Sequence, residues 1–266
     1  MSLGNKNSDE KVWIAIVANE NFAEMAIFLL CSISLTRDVN LVKGVVIGDL
    51  GISEKSRRIL SSIFQNTIFV DFNQKLDHDV SHHSHNWVKA VYQKTRLLKR
   101  CIEDKRLPVI LMDADQFCRT NFISSCNGGR AAALTRRHMK AISKGTDDRE
   151  NRYIGSFVRY NDENAQKFND LWIAEIDRRV AAGEGPPYET PALNAVIKKQ
   201  PDLLMIQDLS MKEYSCPPSK FSWLFTKIVH YKGPKDFNQI SFIDFVSKLP
   251  GMKAGILSKF KQVSDK

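Results

Sequence analysis

The stretch that decides the fold is Val109-Ile110-Leu111-Met112-Asp113-Ala114-Asp115-Gln116-Phe117. Its first four residues are apolar, and a run of this length predicts a short buried strand. Two carboxylates, Asp113 and Asp115, follow at the point where the strand should end. In an open α/β sheet, ligands bind at the carboxyl ends of the strands. The stretch therefore predicts an α/β fold with an acidic site at the edge of its sheet.

Two neighbouring carboxylates repel each other and are costly to desolvate unless a cation neutralises them. Mg²⁺ and Mn²⁺ prefer oxygen ligands and commonly keep positions open for phosphate oxygens. Asp113 and Asp115 therefore predict a divalent metal site that receives a diphosphate. The alternative is that Asp115 caps the next turn while Asp113 pairs with a lysine or arginine. The same spacing recurs at Asp77-His78-Asp79, but no strand precedes it and we interpret it as a loop.

The bulk properties favour one soluble globular domain of 266 residues, because neither glycine nor proline is enriched enough to mark a linker. Five cysteines without Cys-x-x-Cys spacing favour a reducing, cytoplasmic location. Residues 1–10 lack the apolar region of a signal peptide and are interpreted as a flexible lead. A net charge of +9 favours anionic partners, but no nucleic-acid motif accompanies it, so we expect no nucleic acid.

Apolar strands and amphipathic helices alternate along the first half of the chain. This rhythm predicts an α/β fold with a mostly parallel, Rossmann-like sheet and helices on both faces. The predicted strands are 12–18, 41–47, 67–72, 109–112, 130–135, 152–159 and 228–231. The predicted helices are 22–36, a helix capped by Ser53, 86–105, 162–180 and 191–199.

Four further features carry candidate chemistry. Four histidines between His78 and His85 lack a cysteine partner, so a solvated loop is favoured over a zinc site. Lys94 and Arg96 could face phosphates, or could be an exposed basic helix face. His230 could complete a Mn²⁺ coordination shell, with Gly233 and Lys235 beside a phosphate, or could be structural. Residues 241–266 are a basic amphipathic tail, typical of contact with anionic lipid or of a helix packed on the domain and broken at Pro250-Gly251.

Taken in order, several motifs resemble nucleotide-sugar glycosyltransferases of the GT-A fold, most closely family 8, the glycogenin-like and bacterial lipopolysaccharide hexosyltransferases. The resemblance covers residues 12–235 within a predicted domain of 11–240. Glu-Thr stands where the family has Asp-Gln, and Lys235 falls one residue early. The matching segments are Ala18-Asn19-Glu20, Lys94-Thr95-Arg96-Leu97, Met112-Asp113-Ala114-Asp115, Tyr153-Ile154-Gly155-Ser156-Phe157-Val158, Glu189-Thr190-Pro191-Ala192-Leu193-Asn194 and His230-Tyr231-Lys232-Gly233-Pro234-Lys235.

The resemblance implies a hexosyltransferase that moves a sugar from a nucleoside-diphosphate sugar, in the first place a UDP-sugar, to a hydroxyl of a glycan or glycolipid. Mn²⁺ or Mg²⁺ would be held by Asp113, Asp115 and His230, and Glu189 would be the carboxylate near the reacting carbon. Retention or inversion at the anomeric carbon is not carried over. The resemblance places the nucleotide sugar on Ala18, Asn19, Lys94, Arg96, Ala114, Gly233 and Lys235, and the acceptor or sugar side on Gly155, Ser156 and Asn194.

Two other classes of protein remain open from the sequence. A phosphatase with an aspartyl nucleophile also uses a strand followed by Asp-x-Asp, although that strand is usually the first of its sheet. A basic binding protein without enzymatic activity, for nucleic acid or membrane, would need only the net charge and the tail. A nucleotidyltransferase would need a glycine-rich loop after the first strand, which this sequence lacks.

Overall fold

The structure, a computed structural model, describes residues 10–73, 85–137, 152–184, 188–217, 225–231, 242–248 and 253–265. Its strands are β1 (Val12–Ala18), β2 (Val42–Asp49), β3 (Thr67–Asp71), β4 (Val109–Asp113), β5 (Gln116–Cys118), β6 (Ala132–Arg136), β7 (Tyr153–Tyr160), β8 (Ile206–Ser210) and β9 (Ile228–His230). Its α-helices are α1 (Glu20–Ser34), α2 (Glu54–Ile63), α3 (His85–Glu103), α4 (Ala165–Ala181), α5 (Glu189–Lys199), α6 (Met211–Tyr214), α7 (Phe242–Ser247) and α8 (Ala254–Ser264).

Seven strands form the central sheet, in the order β3-β2-β1-β4-β7-β6-β8. Strand β7 runs antiparallel to both of its neighbours, while the other pairs in this sheet are parallel. The prediction of a mostly parallel sheet is confirmed. As a consequence, the carboxyl ends of β1 and β4 meet the first half of β7 at one edge. Val17 of β1 lies beside Asp113 of β4 in this register.

Helices cover both faces of the sheet because the side chains of each strand alternate between them. In β1, Ile14 and Ile16 pack into the core shared with α1, while Trp13 and Ala15 pack into the core shared with α3, α4 and α5. The predicted helices exist, with ends that differ from the predicted ones by at most three residues. Ser53 caps α2 as expected, since its hydroxyl accepts a hydrogen bond from the backbone of Ser56.

A second, two-stranded sheet was not predicted, and it shapes the acidic edge. After Asp115 the chain continues as β5, which pairs antiparallel with β9 and places Gln116 opposite His230. The backbone nitrogen of Tyr231 donates a hydrogen bond to the carbonyl oxygen of Asp115 over 2.8 Å. Residues more than one hundred positions apart in the sequence are therefore adjacent at the end of β4. Strand β8 was also missed.

The C-terminal residues pack on the domain through α7 and α8. Phe242 and Phe260 both stack edge-on against Phe28 of α1, at ring-centroid distances of 5.4 and 5.7 Å. Val246 and Ile256 are buried in the same core. Of the two interpretations of this segment, these contacts support a helix packed on the domain, while the predicted break at Pro250-Gly251 lies outside the described residues. Contact with lipid gains no support, because Phe242, Val246, Ile256 and Phe260 are buried in the domain.

All five cysteines are free and buried. In the part of the chain that the structure describes, no helix has the length and apolar character needed to cross a membrane. The histidine-rich segment, residues 78–85, lies outside the described residues except for His85, where α3 begins.

Candidate functional site

Asp113, Asp115 and His230 converge at the carboxyl end of β4. One ligand atom from each residue can be chosen so that all three atoms lie within 4.8 Å of one another. The Nε2 atom of His230 is 3.2 Å from Asp115 Oδ1 and 3.5 Å from Asp113 Oδ2. The structure therefore brings together the three residues that the sequence predicted as metal ligands.

The donor set fits a divalent cation of the Mn²⁺ or Mg²⁺ type. Two carboxylates supply hard oxygen ligands, and a neutral imidazole is a suitable nitrogen ligand for Mn²⁺. The imidazole is held from behind, since its Nδ1 atom lies 2.9 Å from the hydroxyl of Ser215. Nε2 is the ring nitrogen that faces both carboxylates, so it is the atom that could bind an ion.

A largely buried lysine links the acidic pair to a third carboxylate. The Nζ atom of Lys94, on α3, lies 2.5 Å from Asp113 Oδ1 and 3.4 Å from Glu189 Oε2. The alternative interpretation of Asp113, pairing with a lysine, is thus also realised, but only through one of its two oxygens. Its other oxygen, Oδ2, still faces His230 and Asp115.

Glu189 approaches the sheet closely because Gly155 has no side chain. A Cβ atom added to Gly155 would lie 2.1 Å from Glu189 Oε1 and 2.8 Å from its Cδ. The Oε1 atom is buried and has no hydrogen-bond partner among the described residues. Glycine at this position therefore makes room for a carboxylate that retains one unused acceptor.

Burial and charge together perturb the ionisation of this cluster. Burial raises the pKa of the Glu189 carboxyl, although the ammonium of Lys94 opposes the effect. Burial alone would lower the pKa of Lys94, but the carboxylates of Asp113 and Glu189 outweigh it and hold that pKa above its ordinary value. Lys94 is therefore a permanent cation in a group with three carboxylates.

The predicted nucleotide-side residues divide into those at the site and those that point elsewhere. Ala18 ends β1 at the same sheet edge, Asn19 caps α1 by accepting a hydrogen bond from the backbone of Phe22, and Ala114 lies in the turn after β4. Arg96 does not join the cluster. It stacks on Tyr92 at 3.7 Å and pairs with Asp177 of α4 at 3.4 Å. Because Arg96 follows Lys94 by two residues on α3, its side chain is rotated about 200° around the helix axis from that of Lys94.

On the predicted acceptor side, Asn194 holds α5 against β7. Its Oδ1 accepts from the backbone nitrogen of Tyr153, and its Nδ2 donates to the carbonyl oxygens of Tyr153 and Thr190, each over 2.8 Å. Ser156 lies in the interior beside Ser215, at 3.0 Å between hydroxyl oxygens. Gly233 and Lys235 lie outside the described residues.

Two residues at the site were missed by sequence reasoning. Gln116 is fully buried, and its Oε1 accepts a hydrogen bond from the backbone nitrogen of Asp113 over 3.2 Å. Ser215 is fully buried behind His230. No motif marks Ser215, whereas the position of Gln116, directly after the acidic pair, was the available signal.

Comparison with solved structures places this geometry in a known fold. A galactosyltransferase, LgtC, in complex with donor and acceptor sugar analogs matches with a TM-score of 0.61 over 96% of this chain and 95% of that chain, at 12% identity. The fold is of the GT-A type. An active-site glutamine-to-glutamate mutant of LgtC matches with a TM-score of 0.59 over 96% and 95% of the two chains, also at 12% identity.

The bifunctional glycosyltransferase WbbM matches with a TM-score of 0.55 at 16% identity, over 97% of this chain and 52% of that chain. In sequence, no family model matches, and no curated protein matches significantly. The GT-A assignment therefore rests on the three-dimensional arrangement of the strands, in agreement with the resemblance found in the motifs.

Proposed function

We propose that this protein is a metal-dependent glycosyltransferase that moves a sugar from a nucleoside-diphosphate sugar to a hydroxyl of a glycan or glycolipid. The observation that carries the proposal is the convergence of Asp113, Asp115 and His230 within 4.8 Å at the carboxyl end of β4 in a GT-A fold. A bound Mn²⁺ or Mg²⁺ would neutralise negative charge on the leaving diphosphate.

Lys94 and Glu189 are the residues of this chain that would act on the donor. The Lys94 ammonium, which lies between two carboxylates, would supply a fixed positive charge to a bound diphosphate. Glu189 offers an unpaired Oε1 that could accept a hydrogen bond from a sugar hydroxyl or stabilise positive charge at the reacting carbon. Its raised pKa would also suit it to exchange a proton with an acceptor hydroxyl.

The structural neighbours support the proposed donor and acceptor classes. LgtC was solved with donor and acceptor sugar analogs, and we propose that this chain likewise binds a nucleotide sugar, in the first place a UDP-sugar, and a glycan acceptor. Ala18, Asn19 and Ala114 would line the nucleotide side, while Gly233 and Lys235 stay predictions. A domain spanning 11–240 and a cytoplasmic location also stay predictions.

The experiment is a nucleotide-release assay on the full chain with a panel of UDP- and other nucleotide sugars, with Mn²⁺, with Mg²⁺ and with excess chelator. We expect metal-dependent release of the nucleoside diphosphate, and a decrease of at least about 100-fold in Asp115→Ala. Asp202→Ala, at an exposed position, is the matched control and should behave as wild type.

Two results would contradict the proposal. One is the absence of metal-dependent turnover with every donor, even when a mixture of glycan and glycolipid acceptors is supplied. The other is release of inorganic phosphate from phosphate esters with trapping of a phosphoaspartate at Asp113, which would favour the phosphatase.

A further inference from the structure

A buried chain of hydrogen bonds runs from the candidate metal site into the interior. His230 Nδ1 lies 2.9 Å from Ser215 Oγ, which in turn lies 3.0 Å from Ser156 Oγ. The exposed fractions of the three residues are 7%, 0% and 6%. Ser156 comes from β7 and Ser215 from the end of α6, so two separate elements supply the hydroxyls behind one imidazole.

The two hydroxyls matter because each can donate or accept a hydrogen bond. A backbone carbonyl or a carboxylate behind the ring could only accept, and would fix the proton on Nδ1. With two hydroxyl groups, reversing their O–H directions satisfies Nδ1 whether or not it carries the proton. Neither arrangement leaves a buried ring nitrogen or the Ser215 hydroxyl without a partner.

The two arrangements correspond to two states of the site. Without a cation, a proton on Nε2 can be donated to Asp115 Oδ1 at 3.2 Å, and Ser215 then donates to Nδ1. A cation held by Nε2 would need the lone pair of that atom, so the ring proton would then lie on Nδ1 and be donated to Ser215. The two states differ in the position of one ring proton: Nε2 releases a proton to solvent, and Nδ1 takes one up from solvent.

We propose that Ser215, supported by Ser156, is a positioning residue that lets His230 exchange its tautomer when the metal ion binds. This inference rests on the proposed metal-dependent function. It assigns roles to two serines that lie behind His230, at the ring nitrogen opposite the one that faces Asp115.

The test is the tautomer of His230, observed by two-bond ¹H–¹⁵N correlation on the full chain without metal and with Mg²⁺, which is diamagnetic. The signal is assigned from its absence in His230→Gln. We expect Nε2–H without metal and Nδ1–H with Mg²⁺. The same tautomer in both states would overturn the inference.

A second readout is Mn²⁺ affinity measured by electron paramagnetic resonance, alone and with UDP. Ser215→Ala removes the partner of Nδ1, and we expect about 10- to 100-fold weaker binding. Ser156→Ala should also weaken Mn²⁺ binding, but by a smaller factor. This second variant keeps the inference testable if Ser215→Ala does not fold. Thr36→Ala, which also removes a buried hydroxyl but one that donates to the carbonyl oxygen of Ile33 at the end of α1, is the matched control and should bind as wild type.

Wild-type affinity in both Ser215→Ala and Ser156→Ala would overturn the inference while leaving the proposed function intact. A wild-type protein that binds no Mn²⁺ even with UDP would instead contradict the proposed function, and the inference would fail with it.

Discussion

Replacing Lys94 with methionine would test how the acidic cluster is held together. The 2.5 Å pair between Lys94 and Asp113 corresponds to roughly 7 kcal/mol of Coulomb attraction at an effective dielectric constant of about 20. Desolvation of the ammonium offsets much of this attraction. Removing one partner of a buried pair commonly costs about 3 kcal/mol, because the remaining charge is left buried. For a domain of this size, we expect the melting temperature to fall by roughly 6–12 °C.

The loss of stability in Lys94→Met should also depend on pH. Burial raises the pKa of Glu189 even with Lys94 present, and removing the ammonium should raise it further. The folded variant then binds a proton that the unfolded chain releases above the ordinary pKa of glutamate, so its stability falls as pH rises through the folded-state pKa. We therefore expect a smaller difference between variant and wild type at pH 5 than at pH 8.

Lys99→Met is the matched control, on the same helix. Lys99 pairs with Asp170 at 2.8 Å, but both side chains are about two-fifths exposed, and exposed pairs contribute little to stability. Thermal unfolding monitored by circular dichroism should show a large shift for Lys94→Met and little for Lys99→Met. Equal melting temperatures for the two variants, at every pH, would refute the reasoning.

Three further predictions concern single substitutions. Glu189→Gln should lower the rate of sugar transfer by at least about 100-fold while leaving Mn²⁺ affinity unchanged. Steady-state kinetics measures the first and a metal titration the second. Turnover at the wild-type rate would show that Glu189 has no part in the mechanism. Gly155→Ala places a methyl group 2.1 Å from Glu189 Oε1. We therefore expect the free energy of unfolding, measured with denaturant, to fall by about 1–3 kcal/mol. An unchanged free energy of unfolding would show that Glu189 moves aside freely. Phe260→Ala should cost about 3 kcal/mol because this ring is 7% exposed, whereas Phe225→Ala, at 81% exposed, should have little effect; equal unfolding midpoints would contradict the packing of the C-terminal helices.

The fold could be predicted from local patterns because its strands are apolar and its helices are amphipathic over several turns. The run Val109–Met112 is buried throughout, and its end marks the sheet edge where Asp113 lies. Strand β5, by contrast, is three residues long, which is too short for any periodicity to show. Strand β8 was missed because its sequence, Ile-Gln-Asp-Leu-Ser, lacks a regular alternation and lies at the sheet edge.

The site was predictable where a motif carried it and not where tertiary packing decided it. Asp113, Asp115 and His230 meet as expected, but the β5–β9 pairing that brings His230 to Asp115 is a long-range contact. Lys94 and Arg96 are two residues apart, and the sequence could not decide which of them faces the carboxylates, since that depends on the rotation of α3 against the sheet. Ser215 is visible only in three dimensions.

The central claim is that Asp113, Asp115 and His230 bind a divalent cation that in turn receives a diphosphate. Calorimetric titration of UDP into the wild-type protein, with Mn²⁺ and with chelator, tests it most directly, alongside Asp115→Ala and the exposed control Asp202→Ala. The account predicts UDP binding that requires Mn²⁺, is lost in Asp115→Ala and is retained in Asp202→Ala. UDP binding of equal strength with chelator, or unchanged binding in Asp115→Ala, would contradict it.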